Sequence, residues 1–311
     1  MAVRALDVDP EVWSHALAAA RFVPLQQSAA YGTALRKRGR SVRSILVESD
    51  GRFTLGIQAA TRRVVGLPLV TTALRGPFAF DGRPAPAPEE LRAALAAVSG
   101  PWPQLLVVSP DFDDTADARA ALTTSGCREV MTSAAVARLA LGGDARALRA
   151  RLDQKWRNRL VRAEAARLAV DVTRGGAALD WLLNAHERLM RAKGFKGLPA
   201  GFVLDLLASS ARRDVFVVIA QRGKSPVAAA AFLRHGPTAT YLIAATEAEG
   251  RAVHAGTLVL WRGALALQES GAHDCDLGLL DTSRSAGLAR FKLGTGATLA
   301  RLCGTWTPSW L

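Results

Sequence analysis

The sequence predicts an α/β chain (mixed, α+β-type sheets) built as two tandem domains. Three observations carry this prediction. The chain has 311 residues, a length that suggests two domains or one large one. Half of the residues are hydrophobic, so a sizeable core can be buried. The order of strand-like and helix-like segments in the first half also recurs in the second, with little residue identity between the halves. The join is expected near Leu141–Arg151, with domains over 1–143 and 144–311, the second opening on a basic helix.

Taken in order, "PEVWSHALAAA" and "QSAAYGTALRKRG" read as helices, the second closed by Gly39. "SVRSILVES" and "FTLGIQAAT" read as two strands of a hairpin around the Asp50-Gly51 turn. "VVGLPLVTTAL" is a third strand-like run, and the Pro-rich stretch 84–88 is a loop. Then come a helix "EELRAALAAVSG", a buried strand "QLLVVSP", a helix "TADARAALTTSG" and one strand "EVMTSAAVARLAL". In the second half "LAVDVTR" is a strand, followed by helices around 178–193 and 200–210. "VFVVIAQ" and "PVAAAAFLRH" flank the turn "RGKS", and "TATYLIAAT" is a third strand. "HAGTLVLWRGALALQESG" is a long helix, "HDCDLG" a short strand, "SAGLARFK" a helical turn and "TLARLCGTW" one last strand. Trp306 and Trp310 are expected to pack against the second domain.

Charge separates the two halves. The net charge is +13, of which residues 1–140 supply +3 and residues 141–311 supply +10. A basic surface favours phosphates, nucleic acid or anionic lipid, although an Arg- and Ala-rich composition alone gives part of the excess. Cys127, Cys275 and Cys303 lie far apart, which gives neither zinc spacing nor a disulfide framework. The first residues lack the apolar core of a signal peptide. No apolar run reaches the ~18 residues a membrane span needs. The expected setting is the cytoplasm, with peripheral contact at the inner face of a membrane as one use of the charge. His15, His186, His235 and His273 form no metal spacing, and neither a Walker loop nor a Ser-His-Asp signature occurs.

The excess charge is densest between Arg146 and Leu168, where eight Lys or Arg residues face two acids. "LRARLDQKWRNRLVRAEAARL" holds no Pro or Gly and predicts one helix. Leu148, Leu152, Trp156 and Leu160 recur every four residues as an apolar stripe, with Arg151, Lys155, Arg159 and Arg162 beside it. Guanidinium forks in a row suit phosphate or carboxylate, so Lys155, Arg157, Arg159 and Arg162 are candidate substrate contacts. The spacing fits a solvated face equally well.

"KWRNRLVRAE" resembles the signature helix of the Fem family of aminoacyltransferases and related N-acyltransferases. Two further blocks agree with that resemblance and lie in the same order: "PLQQSAAYGTALRKRG" near the start and "DLGLLDTSRSAGLARFKLGTGATLARLCGTW" near the end. The resemblance implies two GNAT-like domains, the second holding most of the reaction site. It implies transfer of an aminoacyl group from aminoacyl-tRNA to an amine of a peptidoglycan precursor or another cell-envelope acceptor. Acyl-CoA-dependent transfer to a small amine or sugar is the alternative, and a non-catalytic RNA- or membrane-binding protein of the same fold is a second. No tightly bound cofactor and no metal are expected; the donor is charged tRNA or acyl-CoA. The sequence departs from the family at Tyr31, where Trp is usual, and at Leu35, near a usual lysine, with Arg36 and Lys37 adjacent. The short connection between the helices at 178–193 and 200–210 implies the type without a coiled-coil arm.

Amide formation needs a positioned acyl donor and stabilisation of a developing oxyanion. In "ARFKLGTG", Lys292 offers a compact charge, Arg290 a substrate contact, and Gly294 and Gly296 close backbone approach. The resemblance puts Lys292 at the reaction centre; by itself it reads as a surface lysine beside a glycine turn. Asp281 could hold or deprotonate the amine, or cap the following turn. Asp276 lies on the same strand, facing away from its neighbours. "RAVHAG" stands where a CoA-binding GNAT has R/Q-x-x-G-x-G/A. Arg251 and Gly256 fit that pattern, while His254 replaces the first glycine, which favours a donor other than CoA; as a substrate contact His254 could touch phosphate.

Overall fold

The computed structural model describes residues 3–64, 67–100 and 105–309. The elements, in chain order, are β1 (Val3–Val8), α1 (Pro10–Leu17), α2 (Ala29–Lys37), β2 (Ser41–Ser49), β3 (Arg52–Val64), β4 (Leu67–Leu74), β5 (Phe78–Ala79), α3 (Pro88–Val98), β6 (Leu105–Ser109), α4 (Ala116–Thr124) and β7 (Cys127–Met131). There follow β8 (Ala135–Ala140), α5 (Ala145–Ala150), α6 (Gln154–Ala165), β9 (Ala169–Thr173), α7 (Ala177–Lys193), α8 (Ala200–Ala208), β10 (Val215–Arg222), β11 (Ser225–His235) and β12 (Thr238–Thr246). The last are α9 (Ala248–Ala252), α10 (Ala255–Glu269), β13 (Asp274–Leu280), α11 (Ala286–Leu293), β14 (Thr298–Arg301) and β15 (Thr305–Pro308).

Local chemistry accounts for many of these boundaries. Asp9 caps α1, its carboxylate accepting from the Glu11 and Val12 amides, with Pro10 in the first turn. Asp50 and Gly51 both take left-handed φ, the two-residue turn that suits a twisted hairpin between β2 and β3. In β2, Ile45 and Val47 join the core with α3, while Leu46 joins Trp13, Phe78 and Phe80 on the other face. Burial on both faces explains why this strand reads as a continuous apolar run.

The chain divides into two compact units, Met1–Ala135 with Ala300–Leu311, and Val136–Leu299. These bounds differ from the expected domains over 1–143 and 144–311 in giving residues 136–143 to the second unit and 300–311 to the first. The first sheet has the order β1-β2-β3-β4-β6-β15-β7, and the second β14-β8-β13-β12-β11-β10-β9. Read from their opposite ends, the two orders correspond strand for strand. The position next to last is filled by β15 in the first sheet and by β8 in the second, so each half of the chain lends one strand to the other's sheet. For this reason the two long strands expected at 129–141 and 298–306 each break in two. β7 and β8 part at 132–134, and β14 and β15 part at the Cys303-Gly304 turn, where Gly304 has φ +93°. Trp306 thus packs in the first unit, against the expectation, on the core that includes Val108 and Cys127. Trp310 lies outside the described residues. β1, an edge strand with few buried side chains, shows no alternating pattern and is missed from sequence.

In the second unit, Phe216, Val218 and Ala220 of β10 and Ala228, Ala230 and Phe232 of β11 share a core with α6 and α10. The alternate residues Val217, Ile219, Ala229 and Ala231 are buried as well, and α7 packs on the same strands. The expected single basic helix is two, α5 and α6, because the Asp153 carboxylate accepts from the Lys155 and Trp156 amides and starts a new helix there. Leu148, Leu152, Trp156 and Leu160 are all buried in spite of the break.

Candidate active site

The second sheet opens into a fork. β12 and β13 run parallel and pair at Thr238↔Asp274, Ala239↔Cys275 and Thr240↔Asp276. Among the described residues no rung follows, although β12 continues to Thr246 and β13 to Leu280. β12 bulges at Leu242, since Tyr241 and Ile243 pair with adjacent residues of β11. β12 then leads through α9 to the N-terminus of α10. Diverging carboxyl ends of parallel strands, beside a helix start, form a crevice suited to a ligand.

Lys292 lies at the fork. It is 7% exposed, and its ammonium donates to the Leu279 carbonyl at 2.8 Å. Burial holds its pKa below the ordinary lysine value, and the nearby Asp276 charge acts in the opposite direction. Asp276 is 3% exposed, and its carboxylate accepts from the Gly278 amide at 2.7 Å. Gly278 has φ +80°, a turn inside the strand that an L side chain rarely adopts. Asp281 is exposed and accepts from the Ser283 amide and hydroxyl and from the Arg284 amide, which hold its carboxyl below the usual range. This is turn-capping geometry. Arg290 is exposed on α11.

The closing block and the basic helix are joined directly. The Trp156 indole donates to the Phe291 carbonyl at 3.0 Å, and the Asp153 amide to the Gly294 carbonyl at 2.9 Å. A Cβ at Gly294 would lie 2.8 Å from Trp156, and one at Gly296 2.6 Å from the Arg151 carbonyl. The glycine requirement at both positions is therefore met by packing. Arg157 is turned inward too, donating to the Ala150 and Leu152 carbonyls and closing the end of α5. Lys155, Arg159 and Arg162 are exposed. At the start of α10, burial first, and then the charges of Arg159 and Arg162, lower the His254 imidazole pKa. His254 has φ +57°, so the turn keeps a glycine-like conformation without a glycine. Arg251, on α9, donates to the Thr246 carbonyl at the end of β12.

The predicted residues thus fall into groups. The charges of Arg159 and Arg162 act on His254, and that of Asp276 acts on Lys292. Arg157, Gly294 and Gly296 serve packing, while Asp281 and Arg290 face solvent. Sequence reasoning passed over Gly278 and set Asp276 aside, although "D-x-G" within a strand is a legible turn signal. It also passed over Arg40 and Arg62, which line a cleft of ≈ 370 Å³ in the first unit with Tyr31, Leu35, Gln58 and Thr72. Burial raises the Tyr31 phenol pKa there. Arg36 does not line that cleft: it donates to the Val42 carbonyl at 3.0 Å. Among the described residues no group of three His, Cys, Asp or Glu side chains could hold a metal, and no helix is long and apolar enough to cross a membrane.

Residues 146–297 match a family model described as an acetyltransferase (GNAT) domain. No curated protein matches the chain. The fold is similar to that of FemX in its crystal structure, with TM-score 0.80 and 14% identity over 98% of this chain and 96% of that one. It is similar also to a tandem GNAT protein from the clavulanic acid biosynthesis pathway, with TM-score 0.56 and 11% identity over 98% of each chain. L-PGS from Bacillus licheniformis gives TM-score 0.51 and 14% identity over 96% of this chain and 91% of that one. Together these define the class: an acyltransferase with a tandem GNAT-like fold. Its GNAT domain is the half of the chain that contains the open fork.

Proposed function

We propose that the protein is an N-acyltransferase that passes an aminoacyl group from aminoacyl-tRNA to an amine of a peptidoglycan precursor or another cell-envelope acceptor. The observation that carries this reading is the buried Lys292 ammonium at the mouth of the fork, joined through Trp156 to a helix that presents exposed Lys155, Arg159 and Arg162. In this reading the 3′ end of the tRNA enters the fork and its phosphates meet α6 and His254. The acceptor amine, entering neutral, attacks the ester carbonyl. Lys292 donates to the oxygen as it gains charge, and collapse of the intermediate expels the tRNA hydroxyl as the amide forms. The reaction is cytoplasmic, where charged tRNA is found.

An acyl-CoA donor is the second reading. The left-handed His254 favours it, because the turn before α10 keeps the shape that cradles a pyrophosphate in a GNAT. A histidine there, however, carries an imidazole where a glycine has no side chain. Purified protein given each donor with a panel of envelope amines separates the two. Amide product from charged tRNA and none from acetyl-CoA supports the proposal, and the reverse pattern replaces it with the second reading.

A further inference from the structure

A buried ammonium is costly unless hydrogen bonds and an opposite charge compensate it. Lys292 is such a group, and the Leu279 carbonyl is the hydrogen-bond acceptor that meets it, at 2.8 Å. That carbonyl reaches Lys292 because β13 turns at Gly278, whose φ is +80°. The turn is closed by Asp276, which accepts the Gly278 amide two residues on. Asp276 is also the last residue of β13 paired to β12, opposite Thr240, so it stands where the fork begins. A Cβ built on Gly278 would lie 3.6 Å from the Lys292 nitrogen, which shows how closely the turn wraps the ammonium.

The remaining charged groups nearby do not substitute for Asp276. Asp281 and Arg290 are exposed, and on α6 the side chain that packs toward α11 is the indole of Trp156. Cys275 points to the opposite face of β13, into the core that contains Leu277. Asp274 stands two residues before Asp276, at the first rung.

We propose that Asp276 is the positioning residue of this site: from the first point of the fork it holds the Gly278 turn that presents the Leu279 carbonyl to Lys292, and it keeps the Lys292 ammonium charged. Asp276 acts through Lys292 and does not itself touch the substrate. In the reaction proposed above it therefore sets the pH range over which the oxyanion donor is competent. The direction agrees with the opposing effects at Lys292, where burial favours the neutral amine and the Asp276 carboxylate the ammonium.

The inference rests on the reading of Lys292 as oxyanion donor, but its test does not need the substrate. The chain contains six lysines, so a 13C-lysine NMR titration with Lys292→Met as the assignment control isolates the Lys292 side chain. In Asp276→Asn the Lys292 midpoint should fall by about one pH unit or more, a tenfold fall in the ammonium-to-amine ratio at fixed pH. An unchanged midpoint in folded Asp276→Asn overturns the proposal. If that variant does not fold, Asp276→Ser takes its place, since the hydroxyl keeps an acceptor for the Gly278 amide without the charge, and an unchanged Lys292 midpoint there overturns the proposal. Where a donor turns over, the alkaline limb of kcat in Asp276→Asn should move with the NMR midpoint. If the midpoint shifts while Lys292→Met keeps full turnover, the pairing stands and the reading of Lys292 as oxyanion donor falls.

Discussion

The two sheets have matching strand orders but differ at the parallel pair. In the first unit β4 and β6 pair without interruption from Val70↔Leu105 to Leu74↔Ser109, and a bridge from Gly76 to Ser109 follows. In the second, the corresponding β12 and β13 part after Thr240↔Asp276. The helices beyond the forks differ in the same sense. The start of α3 is met by its own Glu90, whose carboxylate accepts the Ala87 amide at 3.1 Å. The start of α10 has no acid in its first turn, and the charges of Arg159 and Arg162 act on His254 there. The parallel pair of the architecture stays joined in one copy and parts in the other. The GNAT family match falls on the open copy, residues 146–297.

The largest change in this comparison should come from removing the exchanged strand. Truncation after Leu299 takes β15, with Trp306, out of the interior of the first sheet. Loss of a buried tryptophan alone costs about 3–5 kcal/mol. The first unit should lose its cooperative melt in calorimetry, and an unchanged melt would show that β15 is dispensable. Next is Lys292→Met, which should slow turnover about 100- to 1,000-fold, or roughly 3–4 kcal/mol, in a protein that folds by circular dichroism. In the proposed reaction Lys292 acts as the ammonium, and burial lowers its pKa. The rate should therefore fall as pH rises through a midpoint below that of an ordinary lysine.

Smaller effects test the rim of the open fork. Replacing Arg159 and Arg162 with Gln should lower the salt-dependence slope of polyanion binding by about one for each phosphate that these side chains neutralise. An unchanged slope in a filter-binding assay would make α6 a solvated face. The smallest effect is at His254, where Gly should relieve about 1 kcal/mol of left-handed strain and raise the urea midpoint slightly. A lowered midpoint would mean that the imidazole packs more than it strains.

The sequence makes the repeated architecture legible because hydrophobic period and turn chemistry are local. The resemblance that singles out Lys292 is legible too, since "FKLGTG" is a contiguous block. It cannot show which sheet a strand joins: "TLARLCGTW" alternates in the same way whether it serves one sheet or two. The break in the basic helix hides for a related reason. Leu148, Leu152, Trp156 and Leu160 keep their four-residue spacing across it, and the one local sign is Asp153 as a cap. Nor does spacing separate Arg157, which bonds backbone carbonyls, from Arg159 and Arg162, which do not. Asp276 is legible as a turn residue, but its place at the first point of the fork depends on where β12 leaves β13.

Hydrogen exchange with and without donor tests the central claim most directly, because it reads both forks in one protein. With an aminoacyl-tRNA pool or acetyl-CoA at saturation, protection should appear at the end of β12, the start of α10 and the Gly278–Gly296 segment. The paired ends of β4 and β6 should exchange as before. Protection confined to β4 and β6, with the second fork unchanged, would contradict the assignment of the open fork as the donor site.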